Sequence, residues 1–357
     1  MRWFLIILGS CVLATNALGQ AHTRLKRDEQ IVFYPSLGVL KPDGSCEIEI
    51  RGCVYERESR WLALAALRKA LGLADIEMSP AERRVFADRA RLFLVDHEHG
   101  KQIVARVGGT NLPVASTDAD GWFGSIVRIS APAPVHAARD GIEIEIEAVL
   151  PPADQRVFKG SCLLLRQDGL SVVSDIDDTI KITEVLDRKA MLRNTFLRTF
   201  KPVPGMAALY QELARSNHAV FHYVSASPWQ LYQPLAEFVV SNGFPAGSFH
   251  LKKFRWRAES FRSLLAGPEK FKLSVLESLI ERCPRRRFLL IGDSGERDPE
   301  VYAVLARKYP QQVVGVWIRD VTGESREAER YRKAFTGLPE SLWQVFRDPA
   351  EIRKTPF

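Results

Sequence analysis

Leu170-Ser171-Val172-Val173-Ser174 runs straight into Asp175-Ile176-Asp177-Asp178-Thr179, an apolar run of strand length that ends among carboxylates. A short continuous apolar run suits a strand buried on both faces, as in a parallel sheet. Three more follow: Ala219 to Val224, Arg287 to Ile291 and Val313 to Ile318. Helix-period segments precede them, around Met206 to Ala214, Phe271 to Arg282 and Pro299 to Tyr309. The alternation predicts an α/β fold, a Rossmann-like parallel sheet with flanking helices, over residues 168–350.

Ahead of Pro151-Pro152 the texture differs. Ile31 to Tyr34, Cys46 to Tyr55, Ala90 to Asp96, Ile103 to Val107, Trp122 to Ile129 and Ile142 to Leu150 read as short, partly alternating strands. Pro42-Asp43-Gly44, Glu98-His99-Gly100, Asp118-Ala119-Asp120-Gly121 and Asp140-Gly141 supply the turns. Helical spacing from Trp61 to Leu71 and a cap at Ser79-Pro80-Ala81-Glu82 mark a helical insert. Residues 28–167 are therefore expected to form a β-sandwich-like domain of two small sheets. His97 and His99 read as turn residues rather than ligands.

The chain of 357 residues is long enough for two cores, and its 46% hydrophobic and 26% charged content is that of a globular protein. Its formal charge of +7 favours anionic partners without choosing among them. Met1-Arg2, the apolar run Trp3 to Ala14 and Ala17-Leu18-Gly19 read as a signal peptide over residues 1–21. Export to the periplasm or exterior is the expectation, with association at a membrane surface. Leu8-Gly9-Ser10-Cys11 offers the alternative of a lipid-modified Cys11. No later stretch has the roughly 20 apolar residues that a membrane-spanning helix needs. Cys46 and Cys53 lie on one strand-like segment, so their Cα atoms would be roughly 23 Å apart, where a disulfide tolerates less than about 7 Å. Cys162 and Cys283 complete the set, and no spacing resembles a zinc site.

In an open parallel sheet, ligands bind beyond the carboxyl ends of the strands. There the sequence places Asp175-x-Asp177-x-Thr179, then Ser225-Ala226-Ser227, then Gly292-Asp293-Ser294-Gly295, with Lys272 near the start of a helix. Any one of these is also a routine turn. Together they suit phosphoryl transfer. A phosphate ester repels a carboxylate nucleophile until a hard cation and a lysine offset its charge. Asp175 is the candidate nucleophile and Asp177 the candidate acid and base. Thr179, Ser225 and Lys272 complete the candidate catalytic set, Ser225 and Lys272 holding phosphoryl oxygens. Asp175, Asp177 and Asp293 are the candidate ligands of Mg²⁺.

With these residues in place, residues 170–320 resemble the haloacid-dehalogenase superfamily of aspartate-nucleophile phosphatases. More narrowly, Ser174 to Lys181, Tyr223-Val224-Ser225-Ala226-Ser227-Pro228-Trp229 and Ile291-Gly292-Asp293-Ser294-Gly295-Glu296-x-Asp298-Pro299-Glu300 are similar to the conserved domain of the actin-patch phosphatidate phosphatases. Arg91 to Asp96 and Gly121-Trp122-Phe123 look like the β-rich region ahead of that domain in bacterial members. The resemblance implies a Mg²⁺-dependent phosphatase that forms an aspartyl-phosphate and converts phosphatidic acid to diacylglycerol.

The intervals Ile180 to Pro204 and Pro228 to Lys270 leave little room for a cap, which suits phosphate on a lipid or other large object. His250-Leu251-Lys252-Lys253-Phe254-Arg255-Trp256-Arg257 interleaves cations with rings, as a segment touching an acidic membrane surface would; a solvated loop with a ring or two in the core is the other reading. Nothing else supports a nucleic-acid partner, and none is expected. Two other functions stand beside the lipid one: an exported phosphomonoesterase acting on soluble esters, and a non-enzymatic binding or adhesion protein working through the β domain.

Overall fold

A computed structural model describes residues 22–57, 61–130, 141–254 and 268–352. The leader, Cys11 and residues 255–257 of the basic run lie outside them.

The N-terminal half builds β1 (Glu29–Phe33), β2 (Ser36–Leu40) and β3 (Ser45–Arg57), then α1 (Trp61–Ala70) and α2 (Pro80–Arg91). β4 (Val95–His97), β5 (Gln102–Val107), β6 (Thr110–Ser116), β7 (Trp122–Ser130), β8 (Ile142–Ala148) and β9 (Lys159–Leu165) follow. The expected pair of small sheets is instead one connected nine-stranded sheet. The cause is β3, whose 13 residues pair with β1 and β2 along one edge and with β7 and β4 along the other. The sheet bends around a single core that includes Phe33, Ile48, Ile50, Val107, Ile146 and Leu164.

The strand expected over Ala90 to Asp96 is a second correction. α2 runs through Arg91, its buried Phe86, Arg89 and Ala90 facing inward, and only Val95–His97 pairs with β3. The Ser79 cap is as expected, with Ser79 Oγ accepting from Glu82 N and Glu82 reaching back to Ser79 N. β2 and β9 escaped the period-2 pattern because they pair parallel to each other and β2 is buried on both faces.

The C-terminal half contributes β10 (Leu170–Asp175), α3 (Arg188–Phe196), α4 (Met206–Asn217), β11 (Val220–Pro228), α5 (Tyr232–Ser241) and β12 (Gly247–Lys252). It continues with α6 (Pro268–Arg282), β13 (Arg287–Asp293), α7 (Asp298–Lys308), β14 (Val313–Arg319), α8 (Glu329–Ala334) and β15 (Trp343–Phe346). All six strands are parallel, in the order β12-β11-β10-β13-β14-β15. Winding proceeds outward from β10 to β12, then restarts at β13 on the other side. The carboxyl ends of β10 and β13 therefore flank the crevice where the direction reverses, the usual ligand position in such sheets.

The two halves share a hydrophobic core that includes Tyr34 and Trp122 from one and Phe221 and Trp229 from the other. Tyr34 and Trp229 stack with centroids 4.3 Å apart. Arg51 donates to Phe249 O at 2.5 Å, and Arg282 pairs with Glu49 at 3.2 Å. Cys46, Cys53, Cys162 and Cys283 are buried free thiols. No helix among the described residues is long and apolar enough to cross a membrane.

Candidate active site

Asp175 ends β10 with its carboxylate almost wholly buried. Thr179 Oγ1 donates to Asp175 Oδ2 at 3.0 Å, and Lys272 Nζ, from α6, lies 2.8 Å from Oδ1. The intervening loop is shaped by Asp178, which sits at φ 57°. Its carboxylate accepts from the backbone N–H groups of Thr183, Glu184 and Val185 at 2.7, 2.9 and 2.7 Å. That turns the chain back over the crevice, which is why an Asp rather than a bulky residue occupies this left-handed position.

Beside β10, the end of β13 and the loop after it supply the second acid group. Asp293 Oδ1 accepts from Gly295 N at 2.6 Å, while the buried Oδ2 has no hydrogen-bond partner. Asp298, at the start of α7, accepts from Asp293 N through Oδ2 and from Lys272 Nζ through Oδ1 at 2.5 Å. Gly292 makes this approach possible, since a Cβ there would stand 2.2 Å from Asp298 Oδ2. Glu296 adds a third carboxylate to Lys272 at 2.8 Å.

Asp175, Asp293 and Asp298 can bring one ligand oxygen each within 4.8 Å of one another. Counting Glu296, four carboxylates face one lysine. Burial, then mutual repulsion that Lys272 only partly offsets, pushes the carboxyl groups of Asp175, Asp293 and Asp298 above their ordinary range. Burial works against the Lys272 ammonium too, but these carboxylates hold it charged, well above its ordinary value. A surplus of hard oxygen donors, with one buried oxygen lacking a partner, fits a divalent cation and would repel an unaccompanied phosphate.

Asp177 stands apart from this cluster. Its Oδ1 pairs with Lys181 Nζ at 2.7 Å and accepts from Thr183 Oγ1 at 2.8 Å. Its Oδ2 accepts from Ser225 Oγ at 2.7 Å and from Ser227 Oγ at 3.2 Å. Burial alone would raise its carboxyl, but Lys181 and these donors bring it down to about 2. Its side chain thus lies with Ser225 and Ser227, while Asp298 stands third beside Asp175 and Asp293 in the acid cluster. The ionised form of Asp177 suits a base. An acid role would require Lys181 or Ser225 to be drawn away from it.

The structure thus brings Asp175, Thr179, Lys272 and Asp293 together, and links Ser225 to the same loop through Asp177. Asp298, Glu296, Lys181 and Thr183 had no role assigned from sequence. Asp298 and Glu296 stood in the stretch that carries the family resemblance but with no role; in the structure Asp298 opens α7 beside Pro299.

The described part of the basic run lies largely inside. His250, Leu251 and Phe254 are buried, Phe254 packing on Phe93 with centroids 6.2 Å apart, and Lys253 is exposed. His97 is not in a turn but in β4, its Nδ1 3.4 Å from Cys53 Sγ.

Residues 170–320 match the model of the phosphatidate phosphatase APP1 catalytic domain, a span that begins with β10 and ends just past β14. This segment is similar to the APP1 catalytic-domain family. Phosphatidate phosphatase APP1 of Saccharomyces cerevisiae is 28% identical over 190 residues, covering 52% of this chain and 32% of the yeast protein. An uncharacterized protein of Schizosaccharomyces pombe is 27% identical over 243 residues, covering 66% of this chain and 38% of its own length. The chain thus matches about a third of each relative, and residues 170–320 include the loops built around Asp175, Ser225 and Asp293. A solved chitinase from Paenibacillus sp. overlaps with a TM-score of 0.18 at 9% identity, covering 93% of this chain and 31% of its own, which carries no weight for fold or function.

Proposed function

We propose that the chain is a Mg²⁺-dependent phosphatase of the haloacid-dehalogenase type that removes the phosphate of phosphatidic acid through an aspartyl-phosphate on Asp175. The observation that carries this reading is the buried, partnerless Oδ2 of Asp293 beside Asp175, in a cluster with more carboxylates than cations. The APP1-type match over residues 170–320 supports the substrate class.

Asp175 and Asp293 would hold the cation, with Asp298 fixing Asp293 from behind and Lys272 keeping Asp298 in place. When bound, Mg²⁺ offsets the charge of the cluster and of the incoming phosphate. A carboxylate oxygen of Asp175 attacks phosphorus as the ester P–O bond breaks, and the diacylglycerol oxygen leaves with its electron pair and takes a proton from solvent water. Ser225 and Lys272 hold phosphoryl oxygens as charge moves onto them. Asp177, beside Ser225, then takes a proton from the water that attacks phosphorus, and the bond to Asp175 breaks to release inorganic phosphate.

The test is phosphate release from phosphatidic acid in mixed micelles and from soluble phosphate esters, each with Mg²⁺ and with EDTA. Mg²⁺-dependent release that favours phosphatidic acid is expected. Equal or faster release from soluble esters would replace the lipid reading with a broad phosphomonoesterase, and release that survives EDTA would overturn the metal.

A further inference from the structure

Where the two halves meet, a cavity of about 300 Å³ opens among Tyr34, Tyr55, Leu94, Trp122, Trp229 and Tyr232. These rings share the wall with Asp88, Arg91, His97, Gln230 and Gln233, and it is drawn from both halves: β3, β7 and the end of α2 on one side, the segment after β11 on the other. Trp122 and Trp229 also border a neighbouring groove of about 470 Å³ that presents Arg51, Lys252 and Lys253. The Arg51 guanidinium lies 5.0 Å from the Trp229 ring centroid, and Lys253 Nζ lies 5.4 Å from that of Trp122. One pair of indoles thus borders both spaces, and in the groove Arg51 is paired with Glu49 at 3.2 Å. The ring-lined part of the chamber suits an apolar tail.

The chamber is also within reach of the phosphate site. Trp229 follows Ser225 by four residues, so their Cα atoms are at most roughly 14 Å apart. An acyl chain spans roughly 15 Å, half the thickness of a bilayer core. We infer that this cavity receives one acyl chain of the phospholipid while its phosphate is held at Ser225 and Lys272, an inference that rests on the phosphatidate reading above. A soluble phosphate ester has nothing to place there. Preference for long chains then resides in the joint between the halves, not in the catalytic loops.

Two measurements test it. Asp175→Asn protein, which binds without turning over, is titrated with phosphatidic acid carrying one brominated acyl chain while tryptophan emission is followed. Saturable quenching is expected, and the double variant Trp122→Phe/Trp229→Phe, with the same melting temperature, should lose most of it. Quenching of equal size in the double variant, or none at all, overturns the inference. For the active enzyme, kcat/KM is compared for dioleoyl and dibutyryl phosphatidic acid. Leu92→Trp, which narrows the chamber, should lower the dioleoyl-to-dibutyryl ratio at least about tenfold, because each methylene denied burial costs binding. A wild-type enzyme that hydrolyses both lipids equally, with no quenching, sinks the cavity assignment and leaves the phosphatidate reading standing. One that hydrolyses neither lipid brings down that reading and this inference together.

Discussion

Lys272 Nζ lies 2.8 Å from Asp175 Oδ1 in an ion pair whose side chains are 2% and 1% exposed. The same ammonium reaches Asp298 and Glu296, so one cation restrains three carboxylates. Lys272→Met would leave Asp175 and Asp298 buried without a counter-charge, beside a partly exposed Glu296. Stripping one partner from a buried pair costs about 3–5 kcal/mol, and urea denaturation should show a loss of that order alongside lost phosphatase activity. A variant as stable as the wild type would mean the cluster is not held by this lysine.

Asp175→Asn should separate chemistry from folding. The change keeps the shape of the side chain and removes a negative charge from an over-acidic cluster, so the melting temperature should hold or rise. Turnover should fall on the order of 10⁴-fold or more, as when an enzyme loses its nucleophile. An unchanged rate would refute covalent catalysis by this residue.

The partnerless Oδ2 of Asp293 predicts a stability response that needs no substrate. At a Mg²⁺ concentration 100 times Kd, binding to the folded state alone adds about 2.7 kcal/mol, readable as a rise in melting temperature that EDTA reverses. Asp293→Asn should abolish the rise. If the variant responds to Mg²⁺ as fully as the wild type, the ion binds elsewhere.

A buried chain of polar groups sets a second pH dependence, away from the site. Ser171 Oγ contacts His222 Nε2 at 2.8 Å, His222 Nδ1 contacts Ser248 Oγ at 2.8 Å, and Ser248 Oγ contacts His250 Nε2 at 3.0 Å. Burial, reinforced by Arg286 for His222 and by Arg51 first for His250, holds both imidazoles well below 6.5 and therefore neutral. As pH falls through 6.5 the unfolded chain takes up protons that the folded one refuses, so stability declines toward acid. With two such groups the slope approaches about 2.7 kcal/mol per pH unit. Urea midpoints at pH 7.5 and 5.5 should show the decline, and His222→Gln should roughly halve it; a flat profile would mean the rings are protonated in place.

The sequence made the catalytic acids legible wherever a local rule placed them. Asp175 and Asp293 close apolar strands, and strand ends in a parallel sheet converge on one edge. Lys272 sat in a helix next to that edge. Asp298 and Lys181 stood in the resembled stretches without a role: Asp298 lies 26 residues from the lysine it binds, while Lys181 pairs with Asp177 only four residues away. The same limit applies to architecture. β3 has the alternation of a strand, but alternation says nothing about how many partners a strand acquires, so one bent sheet was read as two flat ones. Phe254 fits the second reading of its run, a ring in the core, and the neighbour it packs on, Phe93, is far away in sequence.

Tyr34 and Trp122 lie in the same core as Trp229, Phe221 and Leu170, and this bears on how such a chain can change over time. Parting the C-terminal half from the sheet before it would bare the indole and phenol rings that this core buries. Any lineage that kept these catalytic loops while exchanging the preceding sheet would need another apolar lid over Trp229. Drift at Trp122 must be answered by drift at Trp229, binding the fate of the two halves although all the chemistry sits in one.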